Sequence, residues 1–326
     1  MDLTVTHDNP VPPGASVGAI RAADGVTLRV ARWMPQSEPR GTLLIATGRS
    51  EFIEKYFETI GEALTRGLVV VCFDWRGQGL SDRELSNPAK GHIDDFALYE
   101  RDLWSITEQV LGPFCPKPWF ALAHSMGAAI LLEQARRNRS PFARMVLTAP
   151  MIDIFGLRQP GFARCLAIIL DSFGLGGAFI PGGGGRALID RPFEGNLLTS
   201  DPVRYARVQG ILQAEPRLAL GDPTVAWIHA AFRLMQKFAD PEYPRLITTP
   251  TLIIAAADDR IVSTSAIERF SARLKAGRMV CLGKARHEIL LETDEVRAQF
   301  WAAFDAFVPG TLGEAESLLA RYGRAS

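Results

Sequence analysis

The run Trp119-Phe-Ala-Leu-Ala-His-Ser-Met-Gly127, followed by Ala128-Ala-Ile-Leu-Leu-Glu-Gln-Ala135, decides how the chain is read. The first stretch is apolar without alternation, as in a strand covered on both faces. The second has the composition of a helix. Ser125 stands at the corner between them, with small residues two positions away on either side, Ala123 and Gly127. A strand that turns this sharply into a helix forces the corner residue into a strained backbone and leaves its side chain exposed above the sheet. The small flanks let strand and helix pass closely. Alone, such a string is a short pattern, and a serine that opens a helix is otherwise an ordinary N-cap. The reading of Ser125 as a nucleophile therefore depends on what surrounds it.

Working outward, strand-like and helix-like segments alternate through the first 150 residues. Val26 to Trp33 alternates as a half-buried strand, whereas Gly41 to Ala46, Leu68 to Phe73 and Met145 to Ala149 are short continuous apolar runs. The spacing predicts helices over Phe52 to Arg66, closed by Gly67, and over His92 to Leu111, with Asp94 and Asp95 in the first turn. Helices between buried strands imply a mostly parallel sheet wrapped on both faces. The rhythm breaks at Pro150, and residues 151–243 read as a helical, Gly- and Pro-interrupted insertion. It returns with strands at Thr251 to Ala255 and Arg278 to Leu282, an amphipathic helix over Thr293 to Phe307, and a further helical segment after Pro309. The expected organisation is one α/β core formed by residues 1–150 and 244–326, interrupted by the helical insertion 151–243.

The bulk numbers fit such a chain. Its 326 residues, 47% hydrophobic, are enough for one large core with an insertion. Lys+Arg 36 balances Asp+Glu 36, which argues against a nucleic-acid partner. Cys72, Cys115, Cys165 and Cys281 are scattered, without a C-x-x-C pair, and read as buried free thiols of a reducing compartment. Met1 to Asp8 lacks the basic-then-apolar pattern of a signal peptide, and no apolar stretch of membrane-spanning length occurs. A cytoplasmic location is expected. Pro181-Gly-Gly-Gly-Gly185 lacks the Lys-Ser/Thr of a phosphate-binding loop and reads as a flexible loop of the insertion.

A serine hydroxyl needs a base to take its proton and a carboxylate to hold that base. Of the five histidines, His7 lies near the terminus, His92 opens a predicted helix, and His229 lies in the insertion. His124 adjoins Ser125, and neighbours at a sharp corner tend to point apart. His287 follows the last predicted strand after a short loop, at the carboxyl edge of the sheet where ligands gather. The strand Thr251 to Ala255 leads at the same edge into Asp258 and Asp259, either of which could hold His287. An oxyanion hole would take the amide of Met126 and one from the loop Thr47-Gly-Arg-Ser-Glu51, where Gly48 allows close approach and Arg49 supplies the N–H. The Arg49 side chain has two readings, an ion pair with Glu51 or a contact to a phosphate. No metal ligand set or cofactor motif is called for.

Five segments together resemble the α/β-hydrolase fold, and within it the lysophospholipase and monoacylglycerol lipase group of S33-type serine hydrolases. They are Gly48 to Glu51, Asp74-Trp-Arg-Gly-Gln-Gly-Leu-Ser81, Ala123 to Gly127, Asp259-Arg-Ile-Val262 and Ala285-Arg-His-Glu-Ile-Leu-Leu-Glu292. Leu147-Thr-Ala-Pro-Met151 and Asn196-Leu-Leu-Thr199 are similar to the bacterial L2-type lysophospholipases in particular. Where most of the group has His-Gly in the oxyanion loop, this chain has Thr47-Gly48. The resemblance implies Asp259 as the acid, since it directly precedes Arg-Ile-Val. It implies a helical cap over the site and hydrolysis of lysophospholipid or monoacylglycerol esters through an acyl-enzyme on Ser125. The apolar segments Phe162 to Leu170 and Phe173 to Ile180 would suit an acyl-chain entrance, with peripheral contact of the cap to the inner face of the membrane. An aminopeptidase, a thioesterase or a carbon–carbon hydrolase would use the same three side chains. A non-catalytic binding protein on this scaffold is the remaining alternative.

Overall fold

The computed structural model describes residues 2–309 apart from Arg158. The helical segment expected after Pro309 lies outside the described residues. Eight strands form one sheet in the order β1-β2-β4-β3-β5-β6-β7-β8. They are β1 (Ala15–Arg21), β2 (Thr27–Trp33), β3 (Gly41–Ala46), β4 (Leu68–Phe73), β5 (Trp119–His124), β6 (Arg144–Thr148), β7 (Thr251–Ala256) and β8 (Gly277–Leu282). Pairing is antiparallel at β1–β2 and β2–β4 and parallel elsewhere. The expected α/β architecture is present, and the runs β3, β4, β5 and β7 are buried along their whole length. Helices on both faces leave no polar side to these strands, which is why their sequences do not alternate.

Between the strands run α1 (Phe57–Thr65), α2 (Ala97–Ile106), which continues through a wide turn into α3 (Gly112–Phe114), and α4 (Ser125–Arg136). The expected start of α2 at His92 is wrong. Gly91 bridges to Pro223 of the insertion, and His92 Nδ1 lies 2.9 Å from Thr224 Oγ1, so this segment is held extended. The helix begins where Asp95 accepts from the Ala97 amide at 2.8 Å.

Between β6 and β7 lie α5 (Pro160–Leu170), α6 (Pro202–Ala214) and α7 (Val225–Phe238); α8 (Thr264–Ser271) and α9 (Asp294–Phe307) complete the second half. The inner face of α7, including Trp227, Ala231 and Leu234, joins the main core. α6 and the segment around Ile189 and Leu198 form a second cluster with Phe52 and Leu291. The glycine loop is pinned rather than loose: the Gly184 amide donates to Asp222 at 2.9 Å and Asp222 donates back to the Gly184 carbonyl at 2.8 Å. A Cβ at Gly221 would come within 2.5 Å of that carbonyl, so glycine at 221 lets the two backbones abut. All four cysteines are free, but only Cys72 and Cys115 are buried; Cys165 on α5 and Cys281 on the edge strand β8 are exposed. Among the described residues, no helix is long and apolar enough to cross a membrane.

The crossovers place the functional loops. From β3 the chain moves to β4 on one side, then returns to β5 on the other, so β3 and β5 are neighbours whose exits lead opposite ways. A crevice opens at the carboxyl ends of strands where the order reverses in this manner. The loop after β3 and the corner after β5 border it, and the loops after β7 and β8 reach it from the far edge.

Candidate active site

Ser125 closes β5 and opens α4 with φ 49°, in the left-handed region that a side chain rarely adopts. The corner is tight enough to exclude any side chain at Gly127, where a Cβ would lie 2.5 Å from the carbonyls of both Ala46 and Thr47. Ser125 Oγ lies 3.1 Å from His287 Nε2, and His287 Nδ1 lies 2.8 Å from Asp259 Oδ2. The other Asp259 oxygen accepts from the amides of Ile261 at 2.8 Å and Val262 at 2.9 Å. Asp258, by contrast, is exposed. Ser125, Asp259 and His287 are thus brought together from three loops, and Asp258 is not.

Electrostatics follows from burial against pairing. Burial opposes charge on Asp259, but His287 and the two amides outweigh it and hold the carboxyl below its ordinary value. Burial likewise opposes charge on His287, and Asp259 more than compensates, so the imidazole titrates above its ordinary value. At His124 the balance is reversed: burial outweighs the pull of the nearby Glu51, drives the ring down to about 3 and keeps it neutral.

The loop after β3 faces Ser125. A Cβ at Gly48 would lie 2.7 Å from Glu51 Oε2 and 2.9 Å from the His124 ring, so glycine is required here by its neighbours. The amide of Arg49 has no acceptor among the described residues, and the amide of Met126 belongs to the free first turn of α4. A cavity of about 150 Å³ opens here, lined by Arg49, Ser125, His124 and His287 on one side and by Ile189, Leu198, Val208, Leu212 and Leu220 of the insertion on the other. The apolar wall therefore comes mostly from residues 187–220, with Phe52 and Ile261 added from the loops after β3 and β7. Phe162 to Leu170 and Phe173 to Ile180 do not line it, in contrast to the sequence expectation.

Residues 37–294 match the family described as serine aminopeptidase, S33. The chain belongs to that family. It is 30% identical over 274 residues to a probable lysophospholipase L2 of Haemophilus influenzae, covering 84% of this chain and 85% of that protein. It is 31% identical over 297 residues to lysophospholipase L2 of Escherichia coli, covering 84% and 82%. Its fold is similar to that of a soluble variant of monoglyceride lipase from Saccharomyces cerevisiae, with a TM-score of 0.72 at 20% identity over 91% of this chain and 97% of that one.

In this S33 family member the site rests on residues to which the sequence reading gave no supporting role. Trp75 donates to the Thr47 carbonyl at 2.8 Å, and Gln78 accepts from the Ser50 amide at 2.7 Å and donates to the Gly48 carbonyl at 3.2 Å. Asp74 accepts from the Leu80 amide at 2.8 Å, and Gly79 has no room for a Cβ against its carboxylate. The motif Asp74 to Ser81 is thus a buttress for the loop that carries Gly48 and Arg49. Beneath that loop lies a buried charged cluster. Glu51 accepts from the Gly48 amide and, at 2.6 Å, from Tyr56; Lys55 Nζ bridges Glu51 at 2.6 Å and Glu288 at 2.7 Å. Burial opposes charge on Lys55 and Glu288, yet their pairing prevails: Lys55 is raised and Glu288 lowered. The His124 ring packs 4.7 Å from that of His287, its Nε2 buried without a hydrogen bond and 3.6 Å from Glu288 Oε2. The corner neighbour that was expected to point away from the site is therefore part of its wall. Glu51, His124 and Glu288 offer ligand atoms within 4.8 Å of one another, but the cation on the two carboxylates is Lys55.

Proposed function

We propose that this protein is a serine esterase that hydrolyses carboxylic esters of lipids, of the lysophospholipid or monoacylglycerol class, through an acyl-enzyme on Ser125. One observation carries the reading: the hydrogen-bonded chain Ser125–His287–Asp259 opens into a cavity whose far wall is aliphatic. His287 takes the Ser125 proton as Oγ attacks the ester carbonyl, and Asp259 stabilises the imidazolium that forms. The amides of Arg49 and Met126 receive the charge developing on the carbonyl oxygen. His287 returns the proton to the departing glycerol oxygen. Water then attacks the acyl-serine by the same route in reverse, releasing the fatty acid. The relatives named lysophospholipase L2 supply the substrate class, and the aliphatic wall is suited to an acyl chain.

Residues 151–243 would act as the cap over this cavity. Its outer face carries Phe162, Ile168, Ile169 and Phe173, the last 80% exposed, an apolar patch of the kind that touches a lipid surface. The test is a panel of acyl glycerols, lysophospholipids, acyl thioesters and aminoacyl amides, with wild type and Ser125→Ala. Turnover of the lipid esters that falls about 10⁶-fold in the variant is expected. Turnover of amides alone, or a variant as active as the wild type, would reject the proposal.

A further inference from the structure

Two cations line the cavity beside Ser125, and they are treated differently. Lys55 is neutralised by Glu51 and Glu288. Arg49 has no carboxylate within ion-pair distance among the described residues, and it does not pair with Glu51, whose oxygens are taken by Gly48, Lys55 and Tyr56. Its guanidinium donates to the Gly221 carbonyl at 2.6 Å and to Ser50 Oγ at 3.0 Å, and lies 5.3 Å over the ring of Trp227. Its Nε is buried with no acceptor. Space for it is reserved by Gly91, where a Cβ would lie 2.5 Å from Nη2, and by the glycine loop, which packs against Gly221 and fixes the carbonyl offered to Arg49. Asp222 favours the charge from beyond ion-pair distance, but burial outweighs it, and a desolvated cation with no carboxylate in contact is a site at which an anion would be stabilised. Burial lowers this guanidinium to about 10, so it remains charged at neutral pH.

We propose that the Arg49 side chain binds the phosphate of a lysophospholipid head group, and so selects phosphate-bearing over neutral glycerol esters. This rests on the esterase reading above. In that reading the ester carbonyl sits at the amide of Arg49, and the guanidinium lies one side-chain length away. That is comparable to the glycerol span between the acyl ester and the phosphate of a lysophospholipid. A guanidinium fork suits a phosphate's paired oxygens, and the unpartnered Nε–H is a donor not yet used. Glu288, the one carboxylate among the lining residues, is held by Lys55 and does not compete.

The test compares kcat/KM for a lysophosphatidylethanolamine and a monoacylglycerol of the same acyl chain, in the same detergent, for wild type, Arg49→Gln and Arg49→Lys. Any loss through the shared amide or through the contact to Gly221 falls on both substrates and cancels in the ratio. The ratio is expected to fall about 10- to 100-fold in Arg49→Gln, the worth of one charge-assisted hydrogen bond, and less in Arg49→Lys. Inhibition of the wild type by a non-hydrolysable alkyl-ether lysophospholipid should exceed that by the matching alkylglycerol, by a similar factor. An unchanged ratio would overturn the proposal and leave Arg49 as a strut between loop and insertion. So would equal inhibition of the wild type by the two ethers, a result that needs no folded variant. Wild type inactive on every ester would instead overturn the esterase reading itself.

Discussion

Replacing Lys55 by Met removes the one cation between Glu51 and Glu288 and leaves an apolar side chain of similar length. The two carboxylates offer oxygens no more than 4.8 Å apart. At an effective dielectric constant of about 20, two unit charges at that distance repel by about 3.5 kcal/mol. The folded variant escapes by protonating one of them. At pH 7 that costs about 3.7 kcal/mol for a glutamate whose unfolded value is about 4.3. The two routes cost nearly the same, and both agree with the 3–5 kcal/mol typical of breaking a buried pair from one side. The pH dependence discriminates further. In the variant a carboxyl has its folded pKa raised above its unfolded value, so stability falls as pH rises. The loss relative to wild type is largest at neutral pH and shrinks by about 1.4 kcal/mol per unit as pH falls toward 5. In the wild type Glu288 is lowered instead, so its contribution is present above the unfolded value and is lost only as pH falls through the lower folded one. Urea unfolding of both proteins at pH 7.5 and pH 5, followed by tryptophan fluorescence, measures this. A loss at pH 7.5 below about 1 kcal/mol, or one of the same size at both pH values, would refute the reasoning.

Three further outcomes follow from the same geometry. Asp259→Asn should lower kcat by about 10⁴-fold and move the acid limb of the kcat/KM profile to lower pH, because Asp259 is what raises His287 and activity needs the neutral imidazole; an unmoved limb in a pH–rate series would assign it to another group. Gly127→Ala should destabilise the protein by about 1–3 kcal/mol or more in a denaturation series, since the added methyl meets two backbone carbonyls that no rotamer can relieve. Replacing Phe162 and Phe173 by Ser should weaken co-sedimentation with phospholipid vesicles while leaving turnover of a water-soluble short-chain ester near wild type; undiminished sedimentation would show that the patch does not meet the lipid.

The parts of this protein that sequence reveals are those whose physics is local. β3, β4, β5 and β7 are covered on both faces, so each shows as an uninterrupted apolar run. Strand β1 shows no such run: Ala15-Ser-Val-Gly-Ala-Ile-Arg21 is an edge strand, half in water, and its pairing with β2 is its only regular contact with the sheet. The start of α2 was misplaced because the tie between Gly91 and Pro223 is made across more than a hundred residues. Cys281 was read as buried from the apolar run around it, but β8 is the far edge of the sheet and leaves that face open. Ser125, His287 and the pair Asp258–Asp259 were legible because each follows a strand at the same edge; position along the chain does not separate the two aspartates, and Asp259 was preferred only through the resemblance of Asp259-Arg-Ile-Val262. Glu288 was not, because nothing near it in sequence marks it as the partner of Lys55, 233 positions away.

The same limit explains Arg49, and it shows how the loop after β3 works. On the sequence, Arg49 reads as an ion-pair partner of Glu51 or as a contact to a phosphate. The fold excludes the first of these, because Glu51 pairs with Lys55 instead. Glu51 points inward to hold the Gly48 amide, and once there it needs a cation, which the short turn Ile53–Tyr56 before α1 supplies four residues further along as Lys55. Arg49 is therefore denied Glu51, the carboxylate two positions along, by the interaction that shapes the loop. What it receives instead is a carbonyl, a hydroxyl and an aromatic face, each of which solvates a guanidinium without neutralising it. In the proposed mechanism, where this loop offers an amide to the developing oxyanion, such a division is an advantage. The neutralised half holds the backbone still, and the half left charged lines the cavity, where on the proposal above it would meet the phosphate of the substrate.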